Sequence, residues 1–247
     1  MARLSVNLNK IALLRNSRRT GVPDLRTFAE IAIAAGARGI TVHPRPDERH
    51  IRRSDVPLIA ATIQPSRPAV ELNIEGYPDA RLLAIATEVR PEQCTLVPDA
   101  PDAFTSEEGF RLDAEQMALV RPAVATLKSM GTRVILFIDP DPAVLDRISS
   151  SGADGVEIYT GTYAAAFRTG SYATWLDACA STARAAADRG LVVNAGHDLN
   201  LHNLPPLIAR VPNLAEASIG HELTADALVM GFATAVGSYA KALAGTP

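Results

Sequence analysis

Short apolar runs bounded by polar, glycine or proline residues alternate along the chain with longer alanine-rich stretches. Short bounded runs of this kind predict buried strands, and the longer periodic stretches predict helices. The strands are predicted at Leu4–Asn7, Gly39–His43, Ala69–Ile74, Gln93–Val97, Arg133–Ile138, Gly155–Tyr159, Leu191–Asn194 and Glu216–Ile219. Because strands and helices alternate, the pattern indicates a parallel sheet with crossover helices.

The helices are predicted at Asp24–Ala35, Asp79–Val89, Asp113–Met130, Pro142–Ser149, Tyr172–Arg189, Leu204–Arg210 and Ala225–Ala244. Eight predicted strands in a chain of 247 residues match the size of a closed α/β barrel. A doubly wound dinucleotide-binding fold is disfavoured because no GxGxxG follows the first strand. We therefore predict a (β/α)8 TIM barrel that forms a single catalytic domain over residues 1–247.

The composition agrees with a barrel of this kind. Hydrophobic residues make up 47% of the chain and aromatic residues only 5%, so the core is expected to be aliphatic. A net charge of −3 gives no sign of nucleic-acid or membrane affinity. Cys94 and Cys179 form neither a metal-spaced pair nor a disulfide framework. With no signal-peptide pattern and no long apolar stretch, we expect a cytoplasmic protein.

Polar side chains cluster where the predicted strands end. In this fold the catalytic residues lie at or beyond the carboxyl ends of the strands, which converge on one mouth. Such positions are occupied by Asn7, Asn9, His43, Arg45, His50, Glu75, Asp139, Glu157, Asn194, His197, Gly220 and His221. The remaining histidine, His202, lies further from a strand end and is expected to be structural.

Among these residues, His43 and His197 are the main candidates for proton transfer. Glu75 and Glu157 would point into the barrel, where a semi-buried carboxyl either has a raised pKa or is paired. An ion pair with an arginine such as Arg18 or Arg45 is therefore the alternative for both glutamates.

Two features suggest that a phosphate is bound. Gly220 and His221 lead into a helix whose first amides would face the mouth. Arg15, Arg18 and Arg19 form a basic cluster that could bind an anion in a bidentate manner, although a solvated helix face has the same appearance.

Other chemistries have little support in the sequence. No spacing typical of a metal site is present, and a flexible proline-bearing loop joins the one candidate pair, His43 and His50. Lys10 is the lysine near a strand end, so a Schiff base with the protein would depend on it. Two long stretches, Pro98–Leu112 and Thr160–Thr174, follow strands and are expected to be functional loops above the mouth.

Seven segments together resemble the pyridoxine 5′-phosphate synthase family. They are Val6–Arg18, Gly39–Arg45 with Arg49–Ile51, Glu71–Gly76, Leu96–Pro98, Val156–Gly161, Val193–Leu199 and Ser218–His221, in the order of that family. The resemblance implies a barrel with a few extra helices, commonly assembled as a homo-octamer. It also implies condensation of 1-deoxy-D-xylulose 5-phosphate with 3-amino-2-oxopropyl phosphate to pyridoxine 5′-phosphate, phosphate and water, without a metal or redox cofactor.

The resemblance further implies roles for individual residues. His43 and Glu75 would be bases, His197 the acid that helps to eliminate phosphate, and Glu157 a group that stabilises charged intermediates. The deoxyxylulose phosphate would be held by Arg45, His50 and Thr105, and the aminoketone phosphate by Asn7, Arg18, Gly220 and His221. We also expect the substrates to be contacted by Asn9, Lys10 and Asp198. Three stretches depart from the family pattern: Asn9-Lys10 replaces a frequent Asp-His, Asp198 replaces a glycine, and Glu222–Ala227 lacks a more usual arginine.

Two alternative functions stay open at this stage. The chain could be another phosphosugar enzyme on the same barrel, an isomerase or epimerase with Glu75 and His197 as its acid–base pair. It could also be a barrel without catalytic activity that binds a phosphorylated metabolite.

Overall fold

Eight parallel strands close into a barrel in chain order, with the first strand paired to the last. The structure is a computed structural model that describes residues 1–99, 108–211 and 213–245. The strands are β1 (Arg3–Asn7), β2 (Gly39–Val42), β3 (Glu71–Gly76), β4 (Gln93–Leu96), β5 (Arg133–Ile138), β6 (Gly155–Tyr159), β7 (Val192–Gly196) and β8 (Leu214–Ile219). The barrel predicted from the alternation of apolar runs is therefore confirmed.

Helices surround the barrel and join its strands. They are α1 (Asn9–Asn16), α2 (Leu25–Ala34), α3 (Asp55–Ile63), α4 (Ala80–Val89), α5 (Ala114–Ser129), α6 (Leu145–Ser151), α7 (Gly161–Arg168), α8 (Ala173–Ala187), α9 (Leu204–Arg210), α10 (His221–Met230) and α11 (Phe232–Leu243). Short 3-10 segments at Gln64–Ser66 and Pro142–Val144 adjoin α3 and α6. In the part of the chain that the structure describes, no helix is long and apolar enough to cross a membrane.

Aspartate side chains explain where several of the predicted helices begin. Asp24, Asp79 and Asp113 each stand immediately before a helix and accept a hydrogen bond from a backbone N–H in its first turn. An N-cap aspartate satisfies an amide that would otherwise lack a partner. These helices therefore start one residue after the predicted boundary.

The structure differs from the predicted helices in two ways. The prediction missed α1, α3 and α7, of which α7 occupies much of the stretch expected to be a loop after β6. These helices have at most nine residues, too few for their periodicity to stand out. The single helix predicted at Ala225–Ala244 is two helices, α10 and α11, separated at Gly231 with φ +85°.

Two strands, β3 and β7, run two residues beyond their predicted ends, and the difference at β7 moves a predicted site residue. Asn194 was expected at the mouth, but β7 continues through Ala195 and Gly196, small residues that do not extend the branched apolar run. Asn194 is instead buried inside the barrel, where its amide donates to Gln93 Oε1 at 3.2 Å.

Alternate residues of each strand face opposite sides of the barrel wall. On β3, Leu72 and Ile74 are fully buried in the core that packs against the helices. The intervening residues face inward and hydrogen-bond across the interior, as Glu75 does to Asn7 on β1. The interior is thus largely polar, whereas the layer between barrel and helices is aliphatic.

A charged network fills the interior near the amino ends of the strands. Glu71 on β3 receives bidentate hydrogen bonds from Arg3 on β1 and from Arg133 on β5. Gln93 on β4 donates to Glu216 on β8 at 3.0 Å, which links opposite walls. Burial alone would raise the pKa of Glu71, but the hydrogen bonds and charges of the two arginines lower it below its ordinary value. The network therefore ties five strands together.

Glu71→Gln is expected to lower the free energy of unfolding at neutral pH by ~1–3 kcal/mol, because two arginines lose their charged partner. The effect should shrink as the pH falls through the lowered pKa of Glu71, since wild-type Glu71 then also loses its charge. Denaturant titration measures it, with Glu88→Gln as the matched control at an exposed ion pair with Arg53, where a loss of ~0–1 kcal/mol is expected. Equal losses in both variants would contradict a structural role for the network.

Candidate active site

A cavity of about 460 Å³ opens at the carboxyl ends of the strands. Of the site residues predicted from sequence, those that line it are Asn7, Asn9, Lys10, His43, Arg45, His50, Glu75, Glu157, His197, Asp198, Gly220 and His221. Arg18 is exposed in the turn after α1 and does not line the cavity. Thr105 lies outside the described residues. Most of the residues that were singled out from their positions along the predicted strands therefore line one cavity.

Glu75 lies at the centre of this group on β3. Its Oε2 accepts a hydrogen bond from Asn7 Nδ2 at 3.2 Å and lies 3.9 Å from His43 Nδ1, while Ser218 Oγ approaches Oε1 at 3.5 Å. Burial raises the pKa of Glu75 to about 7, the hydrogen bonds oppose the rise, and the charges of Asp99 and Glu216 add to it. The carboxyl therefore changes charge near neutral pH, as a general base does best.

Glu157 lies on β6 and is 3% exposed. Burial, followed by the charges of Glu75 and Glu216, raises the pKa of Glu157 well above its ordinary value, which favours the protonated form of this carboxyl. Gly196 on the neighbouring strand makes room for it, because a Cβ there would stand 2.2 Å from Glu157 Oε1.

The expected alternative, an ion pair with an arginine, is not formed by Glu75 or Glu157 anywhere in residues 1–99, 108–211 and 213–245. Arg45 instead pairs with Asp99, whose Oδ2 lies 3.3 Å from the guanidinium. Arg15 is also engaged elsewhere: it binds the buried carboxylate of Asp55 at 2.7 Å, so it is not part of an exposed phosphate-binding cluster.

His43 and His50 form the β2 side of the cavity, with ring centroids 6.0 Å apart. The backbone N–H of His43 donates to Asn9 Oδ1 at 3.0 Å, which fixes the chain as it leaves β2. Burial and then the charge of Arg45 lower the pKa of His43 well below 6.5 and that of His50 to about 4. Both rings are therefore neutral at neutral pH, and a neutral imidazole can accept a proton.

His197 faces this pair from the end of β7. Its ring packs against Phe137 and Tyr159, with centroid separations of 5.2 and 5.1 Å. Gly161 leaves space for the tyrosine, because a Cβ there would stand 2.3 Å from the Tyr159 hydroxyl. Burial lowers the pKa of His197, although the charges of Asp198 and Asp99 oppose this.

The β8 side of the cavity suits an anion. Gly220 and His221 begin α10 at the cavity wall, and the amides at a helix N-terminus favour negative charge. Glu222 stands at the same end, but its carboxylate is bound by Arg168 at 2.9 Å and by Asn200 at 3.3 Å. Lys10 contributes a positive charge to the wall. Within the described residues, no group of three or more histidine, cysteine, aspartate or glutamate side chains could hold a metal ion.

Several residues of the site were not predicted. Asp99 and Tyr159 lie at or just after the ends of β4 and β6, so the rule that found the histidines could also have found them. Ser218 lies inside β8 and Phe137 inside an apolar run on β5. Neither carries a sequence signal, because their contacts exist only once the barrel has closed.

The sequence model of the family described as "Pyridoxal phosphate biosynthesis protein PdxJ" matches residues 4–245. The chain belongs to this family. A PdxJ-family relative from Mesorhizobium japonicum, named pyridoxine 5′-phosphate synthase, is 50% identical over 242 residues, which are 98% of each chain. A relative of the same name from Brucella suis is 50% identical over 245 residues, 99% of each chain. Family membership confirms the resemblance and the expectation of an enzyme of vitamin B6 biosynthesis.

Solved structures similar to this PdxJ-family chain are α/β-barrel proteins of low sequence identity. Phosphoribosyl anthranilate isomerase from Thermotoga maritima is 14% identical with a TM-score of 0.63, covering 99% of this chain and 100% of its own. A tryptophan synthase structure from M. tuberculosis is 12% identical with a TM-score of 0.65, covering 98% and 93%. At these identities the likeness concerns the fold alone.

The raised pKa of Glu75 leads to an expected pH dependence for this PdxJ-family enzyme. If Glu75 acts as a base, it acts in its ionised form, and kcat/KM should then fall as the pH drops through about 7 and not through the ordinary glutamate range. Glu75 and Glu157 titrate as a pair, so the measured value belongs to both. A pH–rate profile tests this, with Glu88→Gln as a control that leaves the profile unchanged. An acid limb near pH 4.5 would contradict the assignment.

Proposed function

We propose that the chain is a pyridoxine 5′-phosphate synthase that condenses 1-deoxy-D-xylulose 5-phosphate with 3-amino-2-oxopropyl phosphate. The products would be pyridoxine 5′-phosphate, phosphate and water. The observation that carries this proposal is the arrangement of neutral histidines and high-pKa carboxyls around one cavity whose sides suit anions. The shared name of relatives that are 50% identical supports the same reaction.

The chemistry requires many proton transfers and little else. An amine adds to a ketone, water leaves to form an imine, a phosphate is eliminated, a carbon–carbon bond closes the ring, and loss of a second water makes the ring aromatic. Each step moves a proton to or from carbon, nitrogen or oxygen, which is the work of groups that titrate near neutral pH. The imine forms on the substrate's own amine, so Lys10 need not be a nucleophile.

His43 and Glu75 would act as the bases. His43 Nδ1 and Glu75 Oε2 lie 3.9 Å apart, close enough for both groups to reach one substrate atom or to exchange a proton through it. Glu75 would take protons during imine formation and ring closure, and Asn7 would hold its carboxyl in place.

His197 and Glu157 would serve the other side of the substrate. The pKa of His197 is lowered in the empty cavity, but the charge of a bound phosphorylated substrate would raise it and favour the acid form. His197 would then give a proton to the departing phosphate. Burial favours the protonated form of Glu157, which would donate a hydrogen bond to developing negative charge.

The two phosphate groups would occupy opposite ends of the cavity. Arg45 and His50 would bind the deoxyxylulose phosphate, together with Thr105. The Nδ1 of His50 accepts the Ile51 N–H at 2.9 Å, which leaves its other nitrogen free to donate to a phosphate.

The aminoketone phosphate would lie near the start of α10, where Asn7, Gly220 and His221 line the cavity. Asn9, Lys10 and Asp198 line the wall between and would contact the substrates. Arg18, exposed beyond the rim, would complete this end.

Purified protein given both substrates should release phosphate and form the pyridoxine chromophore in equal amounts. His197→Asn is expected to lower kcat by ~10²–10⁴-fold while substrate affinity changes little. His202→Asn, at an exposed position that does not line the cavity, is the matched control and should keep full activity.

Three outcomes would contradict the proposal. Folded protein that forms no product from the two substrates would remove the synthase assignment. Interconversion of a single phosphosugar without the amine would identify an isomerase or epimerase. Tight binding of a phosphorylated metabolite, without turnover in either the wild-type protein or His197→Asn, would identify a binding protein.

A further inference from the structure

The backbone that carries His197 adopts an unusual conformation. His197 has φ +82° and Asp198 has φ +55°, so two consecutive non-glycine residues occupy the left-handed region. Side chains disfavour this region, and it persists only where surrounding contacts enforce it. The contacts that enforce it here can be identified.

Thr160 provides the first of them. It follows β6, is fully buried, and its hydroxyl approaches two carbonyl oxygens, that of Gly196 at 2.5 Å and that of His197 at 2.7 Å. The Thr160 N–H also donates to the Gly196 carbonyl at 2.9 Å. One side chain therefore fixes the peptide units on both sides of the His197 Cα.

Asn203 provides the second contact from the opposite direction. Its side-chain amide donates to the Asp198 carbonyl at 3.0 Å. Asn203 is fully buried, and its own carbonyl accepts the Tyr163 hydroxyl at 2.7 Å. The turn is thus held between the end of β6 and the residue before α9.

The ring of His197 depends on this support. In the described part of the chain no hydrogen bond or ion pair reaches the imidazole, which is in ring contact with Phe137 and Tyr159. Aromatic packing limits the tilt of a ring, but it does not fix where the Cα places it. The position of the imidazole is therefore set by the main chain of the turn.

We propose that Thr160 is a positioning residue for His197: its hydroxyl holds the strained turn that places the imidazole in the cavity. The inference deepens the proposed function and rests on it for the role of His197 in proton transfer. A displacement of about 1 Å in a reacting group can lower a rate by about 10²-fold. Loss of the hydroxyl is expected to act on turnover by this route.

The test compares Thr160→Val with Thr160→Ser. Valine has the shape of threonine without the hydroxyl, whereas serine keeps the hydroxyl. Thr160→Val is expected to lower kcat by about 10–10²-fold with KM nearly unchanged, and Thr160→Ser should stay within a few-fold of wild type. The control is Thr182→Val on α8, because Thr182 is equally buried and its hydroxyl bonds to no described residue. Full activity in Thr160→Val would overturn the proposal.

A double-mutant cycle asks whether Thr160 acts through His197. On a His197→Asn background, Thr160→Val should cause little further loss of residual turnover, because the group that it positions is already absent. An undiminished loss on that background would show that Thr160 acts on something else and would overturn the proposal.

Nitrogen-detected NMR of the imidazoles measures the change in the environment of the His197 ring independently of catalysis. The His197 signals, assigned by their absence in His197→Asn, should shift or broaden in Thr160→Val and match wild type in Thr160→Ser. If Thr160→Val does not fold, Thr160→Cys replaces it, since it differs from serine mainly in its weaker donor. Identical His197 signals in the Cys and Ser variants would then overturn the proposal.

The same measurement separates the two proposals. If wild-type protein makes no product from the two substrates but the His197 signals respond to Thr160 as expected, the proposed function fails and the positioning role stands. If product forms, but neither kcat nor the His197 signals change when the Thr160 hydroxyl is removed, the positioning role is wrong and the proposed function stands.

Discussion

Two carboxyls buried inside a closed barrel shape the whole site. Glu75 and Glu157 point inward from β3 and β6, and within the described residues neither is paired with an arginine. Burial therefore raises the pKa of each carboxyl, and their mutual repulsion makes simultaneous ionisation costly. Other features follow from this constraint: Gly196 must lack a side chain, and Asn7 must donate to Glu75. A pair of carboxyls with raised pKa values can both accept and donate protons.

The rest of the barrel supports this arrangement. The interior below the cavity is filled by polar groups that hydrogen-bond to each other, such as Ser5 with Thr41 and Thr95 with Asn73. Buried polar groups of this kind are rigid when all are satisfied. The aliphatic layer outside the strands supplies hydrophobic stabilisation without intruding on the mouth. Residues on the outer face of the strands thus stabilise the fold, whereas residues on the inner face form the candidate active site.

Much of this could be predicted because barrel topology places strand ends together. Apolar runs predicted the eight strands, polar residues at strand ends predicted His43, Glu75 and His197 as site residues, and a carboxyl inside an apolar run predicted Glu157. What could not be predicted depends on distance between residues far apart in the chain. The left-handed turn at His197 and its support by Thr160 require β6 and β7 to be adjacent, and no local pattern encodes that contact. Short helices such as α7 were missed because their stability comes from packing and not from periodicity.

The proposed chemistry depends on the protonation of the two buried carboxyls. Infrared difference spectroscopy observes this protonation directly through the C=O stretch of the protonated form. A pH titration of the unliganded protein, compared with Glu75→Gln and Glu157→Gln, assigns each band by its absence. The expected result is that both bands persist well above the ordinary glutamate pKa and that the Glu75 band disappears near pH 7. Loss of both bands by about pH 5, as for ordinary solvated glutamates, would contradict the account.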